Sequence, residues 1–206
     1  MKLLLDTEGK VNYEKIDENT SVKDVLEAID VFLKENPLPC DSCVESCCKK
    51  AWSVEVDNVC VNRLSKWKGE AASSFVKEKL VKKKNYCRDF YQFVLKKDKD
   101  CNFITEDNLC TIYEERPIIC RLYICSDKSF RYNVLRELIG STYLKALVFE
   151  DKMRNKDFTG RTIKKYKRNP AFFAKDYDIL LKDIFDYSEE EGWLDEDERK
   201  ELYETK

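Results

Sequence analysis

The stretch CDSCVESCC constrains this chain more than any other part of its sequence. Four of its nine residues are cysteines: Cys40, Cys43, Cys47 and Cys48. Two thiolates in a C-x2-C turn can converge on one metal while backbone amides donate to the sulfurs. The adjacent side chains of Cys47 and Cys48 diverge, so they do not readily ligate a single ion. The segment is therefore predicted to fold around a metal site, and the adjacent pair favours a site with more than one metal atom.

A second cysteine-rich block, CNFITEDNLCTIYEERPIICRLYIC, follows in the middle of the chain. The polar turn TEDN predicts a hairpin with Cys101 and Cys110 on its two arms. Pro117 is expected to begin a helical turn that carries Cys120 and Cys125, because proline is preorganised for the first helical position. Together the two blocks hold eight thiols. These could fill two four-thiolate clusters, or one site with spare coordination.

The adjacent cysteines bear on which metal is bound, whereas spacing alone does not. Four thiolates bind zinc and iron–sulfur clusters alike. A cluster presents several irons close together and tolerates adjacent ligands better than one tetrahedral ion does. The sequence therefore favours one or two iron–sulfur clusters of the 4Fe-4S type, with zinc as the alternative. Cys60 and Cys87 stand apart from both blocks and are predicted to be small buried hydrophobic residues.

Two arginines flank the ligands of the second block. Arg116 and Arg121 are predicted to bind the metal cofactor, because a four-thiolate cluster is anionic and guanidinium groups offset that charge. The alternative is that both are ordinary ion-pairing arginines at the surface.

Composition excludes several classes of protein. Histidine is absent, which rules out Cys2His2 fingers, histidine-based zinc proteases and Ser-His or Cys-His catalytic pairs. The five glycines are isolated, so neither a Rossmann fingerprint nor a P-loop is present. The C-x3-C-x2-C motif of radical S-adenosylmethionine enzymes is also missing. Lys and Arg number 38 against 40 Asp and Glu, well mixed along the chain, which argues against a nucleic-acid or acidic-membrane partner.

The chain is expected to be cytoplasmic. Its N-terminal leucines form too short a run for a signal peptide, and no apolar run reaches the length of a membrane span. Thiols are kept reduced in the cytoplasm, so ten cysteines indicate metal ligands or redox groups rather than disulfides.

Hydrophobic periodicity predicts the elements around the cysteines. Apolar residues at helical spacing predict a helix over 21–35, which begins with a Ser-x-x-Asp capping box. A second helix is predicted over 70–84, and strands over 51–57 and 86–95.

These elements predict an α+β, predominantly helical fold. A cysteine-ligated metal-binding portion with short strands, residues 1–127, is expected to precede a helical C-terminal portion, residues 128–206, that packs on it or on a partner. Beyond residue 128 the chain lacks cysteine and carries helical periodicity.

The two cysteine stretches together resemble a known family. CDSCVESCC followed by CNFITEDNLCTIYEERPIICRLY is similar to the zinc- or iron-chelating cysteine-cluster family, also called the YkgJ family. The stretch CCKKAWSVEVD also resembles the cysteine cluster of flagellin lysine-N-methylases within that pattern. The resemblance implies a metal-binding set without Cys125: Cys40, Cys43, Cys47, Cys48, Cys101, Cys110 and Cys120.

Three hypotheses of function follow. The first is an iron–sulfur protein that modifies a protein or peptide; the methylase resemblance implies lysine methylation with S-adenosylmethionine as donor. The second is a non-catalytic protein in which zinc or a cluster is a structural clip and the C-terminal helices bind a partner. The third is a small electron carrier. Metal identity separates the first hypothesis from the zinc version of the second.

Overall fold

The computed structural model of the chain describes residues 1–37, 53–85, 90–96, 101–107 and 109–204. This part of the chain contains eight α-helices and five short strands. The helices are α1 (Val22–Glu35), α2 (Asn58–Trp67), α3 (Ala72–Lys79), α4 (Ile118–Arg121), α5 (Phe130–Arg154), α6 (Gly160–Tyr166), α7 (Leu181–Glu190) and α8 (Glu196–Tyr203). The strands are β1 (Leu3–Leu5), β2 (Val11–Tyr13), β3 (Glu55–Val56), β4 (Leu80–Asn85) and β5 (Phe90–Leu95). The fold is α+β and predominantly helical, as predicted.

Helix α1 forms where the sequence predicts it. The backbone N–H of Asp24 donates to Ser21 Oγ at 3.2 Å, and the backbone N–H of Ser21 donates to Asp24 Oδ2 at 2.7 Å. This reciprocal capping box satisfies two N–H groups that the first turn leaves without a helical partner. The helix then buries one apolar face, which consists of Val22, Val25, Leu26, Ala28, Ile29 and Phe32.

The region from residue 70 to 84 is only partly helical, so the predicted helix is too long. Helix α3 ends at Lys79, and the chain continues as β4. Strand β4 pairs antiparallel with β5 from Leu80 opposite Leu95 to Asn85 opposite Phe90. Lysines favour helix in isolation, but pairing with a buried neighbouring strand overrides that preference.

Strand β5 is the centre of a three-stranded sheet with the order β3-β5-β4. Within the described residues, the predicted strands over 51–57 and 86–95 are confirmed in part, as β3 and β5. Helix α2 follows β3 directly and was not predicted. The side chain of Asp57 caps it by accepting from the backbone N–H of Cys60.

Two hydrophobic clusters share helix α5. The first cluster joins residues of β1, β2, α1, α7 and α8 to α5. The second cluster joins residues of β3, β4, β5, α2 and α3 to Leu147 and Val148 of α5. Each cluster therefore contains residues from both sides of the boundary expected after residue 127, and that boundary stays a prediction. None of the described helices combines the length and apolar character that crossing a membrane requires.

The N-terminal hairpin is joined to the C-terminal helix α8. The hydroxyl of Tyr13 donates to the carbonyl of Leu202 at 2.9 Å, across 189 positions of sequence. Buried Arg131 of α5 donates to the same carbonyl and to that of Glu201. Its guanidinium carbon also lies 4.3 Å from the centre of the Tyr13 ring. The cation thus satisfies carbonyls in the last turn of α8, where the helix dipole favours positive charge.

Lys145 of α5 is the most enclosed ammonium among the described ion pairs, with its side chain 9% exposed. Its Nζ lies 2.6 Å from Glu191 Oε2, whose side chain is 14% exposed. Four aromatic rings lie within 4.6–5.8 Å of the same Nζ: Phe90, Phe149, Tyr187 and Trp193. The faces of these rings are electron-rich and attract a cation. The ammonium of Lys145 therefore contacts residues of β5, of α5 and of the end of α7.

Candidate metal centre

The structure describes four of the eight predicted metal ligands. Cys101, Cys110 and Cys120 are partly buried and pack against the second cluster, whereas Cys125 is exposed in the loop after α4. Cys40, Cys43, Cys47 and Cys48 lie outside the described residues, as does Cys87. Three thiols of the second block therefore contact one hydrophobic cluster of the fold.

Cys101 and Cys110 flank a tight turn, as the polar TEDN sequence predicts. Cys110 forms an isolated antiparallel bridge with Ile104. The backbone N–H of Thr105 donates to the carbonyl of Leu109, and that of Thr111 donates to the carbonyl of Phe103, both at 2.8 Å. These bonds hold the two arms of the turn together. Cys101 and Cys110, one on each arm, therefore pack against the second hydrophobic cluster side by side.

Cys120 lies in α4, a helix of only four residues that depends on outside contacts. At its start, the backbone N–H of Ile118 donates to Asp57 Oδ2 at 2.7 Å. At its end, the Tyr132 hydroxyl donates to the carbonyl of Leu122 at 2.9 Å. Both ends of the helix are thus anchored to other parts of the fold.

Helix α4 also packs against the backbone of α5. A Cβ atom built on Gly140 would lie 2.6 Å from Ile119 Cδ1, which is closer than carbon atoms normally approach. The absence of a side chain at Gly140 therefore lets α4 lie close to α5. Together with the two hydrogen bonds, this contact fixes the position of Cys120.

Asp57 is fully buried, and its carboxylate accepts three hydrogen bonds. The donors are the backbone N–H groups of Cys60 and Ile118 and the hydroxyl of Tyr177, at 2.9, 2.7 and 3.1 Å. Burial raises the pKa of Asp57 above its ordinary value, and these donors act against that shift because they favour the charged form. One carboxylate thus connects α2, α4 and the C-terminal part of the chain.

The surroundings of Cys110 act mainly to raise the pKa of its thiol. Burial raises its pKa, and the nearby Cys101 adds to the shift. The backbone N–H of Ile112 and the Arg116 guanidinium oppose it. A bound metal cation would reverse this balance, because metals bind the thiolate and release its proton.

The two arginines predicted to bind the cofactor have different surroundings. The guanidinium carbon of Arg116 lies 3.7 Å from the centre of the Tyr113 ring, and its buried Nε has no hydrogen-bond partner among the described residues. Arg121 instead places a guanidinium nitrogen 3.6 Å from Asp30 Oδ2 of α1, and its guanidinium carbon lies 5.6 Å from the centre of the Tyr177 ring. Arg116 is therefore the better placed of the two to donate to an anionic sulfur near Cys110, while cofactor binding by either residue stays a prediction.

Cys60 is fully buried in the second cluster, as its isolated position in the sequence predicts. Its Sγ donates to the carbonyl of Glu115 at 3.3 Å. Burial raises the pKa of this thiol well above its ordinary value, and charge on Asp57 and Cys120 adds to the shift. Cys60 thus acts as a hydrogen-bonding core residue beside the second block.

Sequence reasoning missed the residues that position Cys120: Asp57, Tyr132 and Gly140. A partial signal exists for Asp57, since it directly precedes a run with helical spacing, as N-cap residues do. Tyr132 and Gly140 lie on a helix distant in sequence from α4, and nothing in the local pattern distinguishes them.

The described thiols do not by themselves form a metal site. No group of three or more Cys, Asp or Glu side chains that could hold a metal occurs within the described ranges. Two features nevertheless fit a bound anionic centre. Three partly buried thiols pack against one hydrophobic cluster, and the buried Nε of Arg116 has no hydrogen-bond partner in the described part of the chain. Cys101, Cys110 and Cys120 could then contribute ligands to a centre completed by the first block.

Comparison with known proteins identifies this region. Residues 39–137, which include all eight clustered cysteines, match the model of the CxxCxxCC family, described as a "putative zinc- or iron-chelating domain". Residues 39–137 are therefore similar to this cysteine-cluster family. The match covers just under half of the chain and confirms the resemblance seen in the sequence. Neither a curated protein nor a solved structure matches the chain.

The matched region extends from the first cysteine block into α5. It includes α2 with Asp57 and the whole second block, so the contacts that fix Cys120 lie within the matched residues, apart from Gly140 and Tyr177. The remainder of α5 and the helices after it lie beyond the matched residues.

Proposed function

We propose that the two cysteine blocks bind one iron–sulfur centre or two, of the 4Fe-4S type. The proposed ligands are Cys40, Cys43, Cys47 and Cys48 from the first block and Cys101, Cys110 and Cys120 from the second. The observation that carries the proposal is the placement of Cys120. Helix α4 holds it against the same hydrophobic cluster that Cys101 and Cys110 contact. A thiol anchored from three sides keeps its position without a metal, as preorganised ligands do.

Two features favour iron and sulfide over a single zinc ion. The adjacent thiols of Cys47 and Cys48 suit a centre with several metal atoms better than one tetrahedral ion. The buried Nε of Arg116 is a donor without a described acceptor beside Cys110, and sulfur atoms of an anionic cluster accept such hydrogen bonds. Zinc as a structural clip is the alternative.

The test is metal analysis of protein purified without oxygen. We expect a brown protein with visible absorbance and about four or eight irons per chain, with sulfide in equal amount. Cys120→Ser is expected to lower the iron and sulfide content. Cys125→Ser is the matched control, because Cys125 belongs to the same block but is exposed and lies outside the proposed ligands.

Other outcomes separate the alternatives. A colourless protein with zinc and no sulfide would overturn the iron–sulfur centre and leave a zinc-stabilised binding module. A protein that binds neither metal would overturn metal binding altogether. Lysine methylation with S-adenosylmethionine, electron transfer and cytoplasmic location stay predictions from the sequence, because no described contact bears on them.

A further inference from the structure

The Asp57 carboxylate connects two stretches of the chain that are 61 residues apart. Its Oδ1 accepts from the N–H of Cys60 near the start of α2, and its Oδ2 accepts from the N–H of Ile118 at the start of α4. Helix α4 has no capping side chain of its own. One side chain therefore replaces the missing cap of the helix that carries Cys120.

Cys60 reinforces the same connection from the first turn of α2. Its Sγ donates to the carbonyl of Glu115, three residues before Ile118. The segment from Glu115 to Ile118, which separates Cys110 from Cys120, is thus held at both ends by the first turn of α2. Movement of that turn would change the separation between the two ligands.

The same carboxylate also contacts the C-terminal part of the chain. The hydroxyl of Tyr177 donates to Asp57 Oδ1 at 3.1 Å. The neighbouring Asn58 donates through Nδ2 to Glu150 Oε1 at 2.8 Å and to the carbonyl of Ala171 at 2.9 Å. Asp57 and Asn58 are fully buried, so these contacts are screened little by water.

We propose that Asp57 is a positioning residue of the metal centre, and that the Tyr177 hydroxyl couples the loop over residues 169–178 to that centre through it. The inference rests on the proposed metal binding. Binding of metal would stabilise the arrangement in which Ile118 donates to Asp57. By thermodynamic linkage, contacts that favour the same arrangement, including the one from Tyr177, must then strengthen metal binding.

Asp57→Asn tests the first part of the proposal. Asparagine has nearly the same size, but it replaces one acceptor oxygen with a donating NH2 group. If its oxygen still faces Cys60 and Tyr177, the NH2 group faces the N–H of Ile118 and cannot accept from it. The start of α4 is then released while the rest of the core keeps its packing.

The measurement is competition for Zn²⁺ between the reduced, metal-free chain and a chromophoric chelator. Zn²⁺ binds thiolate sites whether or not iron is the native metal. We expect Asp57→Asn to weaken Zn²⁺ binding by about 10- to 100-fold, the usual effect of removing a group that orients a ligand. We also expect faster amide hydrogen exchange at residues 118–122 in the metal-free chain.

Tyr177→Phe tests the coupling with a smaller change. It removes one hydroxyl and keeps the ring, and we expect Zn²⁺ binding to weaken by about 2- to 10-fold, as for loss of one hydrogen bond. Tyr166→Phe is the matched control. Tyr166 is also a buried C-terminal tyrosine, but its hydroxyl has no hydrogen-bond partner among the described residues, so Zn²⁺ binding should not change.

Arg131→Met separates positioning from general loss of stability. Arg131 is buried in contacts to β2 and α8, away from the Asp57 contacts. The Arg131→Met substitution should lower the free energy of unfolding, but Zn²⁺ binding by the folded chain should not weaken. Equal weakening by Arg131→Met and Asp57→Asn would overturn the positioning role.

The outcomes distinguish this inference from the metal-binding proposal. If the wild-type chain binds no Zn²⁺, both are overturned. If the wild-type chain binds Zn²⁺ and Asp57→Asn binds it as tightly, only the positioning role is overturned. If Tyr177→Phe behaves as Tyr166→Phe does, the coupling to the loop is overturned even where Asp57→Asn weakens binding. Tyr177→Phe also keeps the proposal testable if Asp57→Asn fails to fold.

Discussion

Replacement of Lys145 by alanine is expected to lower the free energy of unfolding by about 3–5 kcal/mol, the usual loss when one partner of a buried ion pair is removed. Among the described residues, the substitution leaves the enclosed carboxylate of Glu191 with Lys165 alone as a cation, whose Nζ lies 3.6 Å from Glu191 Oε2. It also empties the space between four aromatic rings that now surround the ammonium. Urea unfolding followed by circular dichroism measures the change.

Two further variants define the origin of that loss. Lys200→Ala removes an ammonium that pairs with Glu196 at the surface, where both side chains are well exposed, and should leave the unfolding midpoint unchanged. A double-mutant cycle with Glu191→Gln separates the ion pair from the contacts with the rings. If Lys145→Ala unfolds at the same urea concentration as Lys200→Ala, the enclosed ammonium contributes nothing to stability.

Gly140→Leu is expected to displace α4 and to weaken the metal centre. The first carbon of the new side chain would lie 2.6 Å from Ile119 Cδ1, and the rest would extend into space that α4 occupies. Overpacking of this kind costs about 1–3 kcal/mol, and the better helix propensity of leucine returns roughly 0.8 kcal/mol of it. The net loss in free energy of unfolding is therefore roughly 0.2–2 kcal/mol.

The larger effect of Gly140→Leu concerns Cys120, which moves with α4. Zn²⁺ binding in the chelator competition should weaken by about 10- to 100-fold. Gly160→Leu is the matched control: Gly160 begins α6, and no described atom would lie within 4 Å of a Cβ there. Gly140→Ala should change binding less, because Ile119 Cδ1 is the end of a flexible side chain. Unchanged Zn²⁺ affinity in Gly140→Leu would contradict the close packing of α4 on α5.

Features that depend on neighbours in sequence could be predicted, and features that depend on distant partners could not. The capping box of α1 and the turn between Cys101 and Cys110 are local, and both form as the sequence indicates. Strand β4 was predicted as helix because its lysines give no sign of the pairing with β5 that extends it.

The candidate site follows the same division. Residue type and spacing indicate the two cysteine blocks, because metal ligation by thiols needs particular residues within short distances of chain. The position of Cys120 instead depends on Asp57, which lies 61 residues before Ile118, and on Gly140 of another helix. Such contacts arise only when the whole fold assembles, so no short stretch of sequence encodes them.

The bond between Tyr13 and Leu202 has a consequence for synthesis on the ribosome. The hairpin that contains Tyr13 is made first, yet its partners in α8 are made 189 residues later. At typical translation rates of roughly 5–20 residues per second, that delay is about 10–40 seconds. During this interval the apolar face of the nascent hairpin lacks its final cover, and a chaperone that shields it would raise the yield of folded protein.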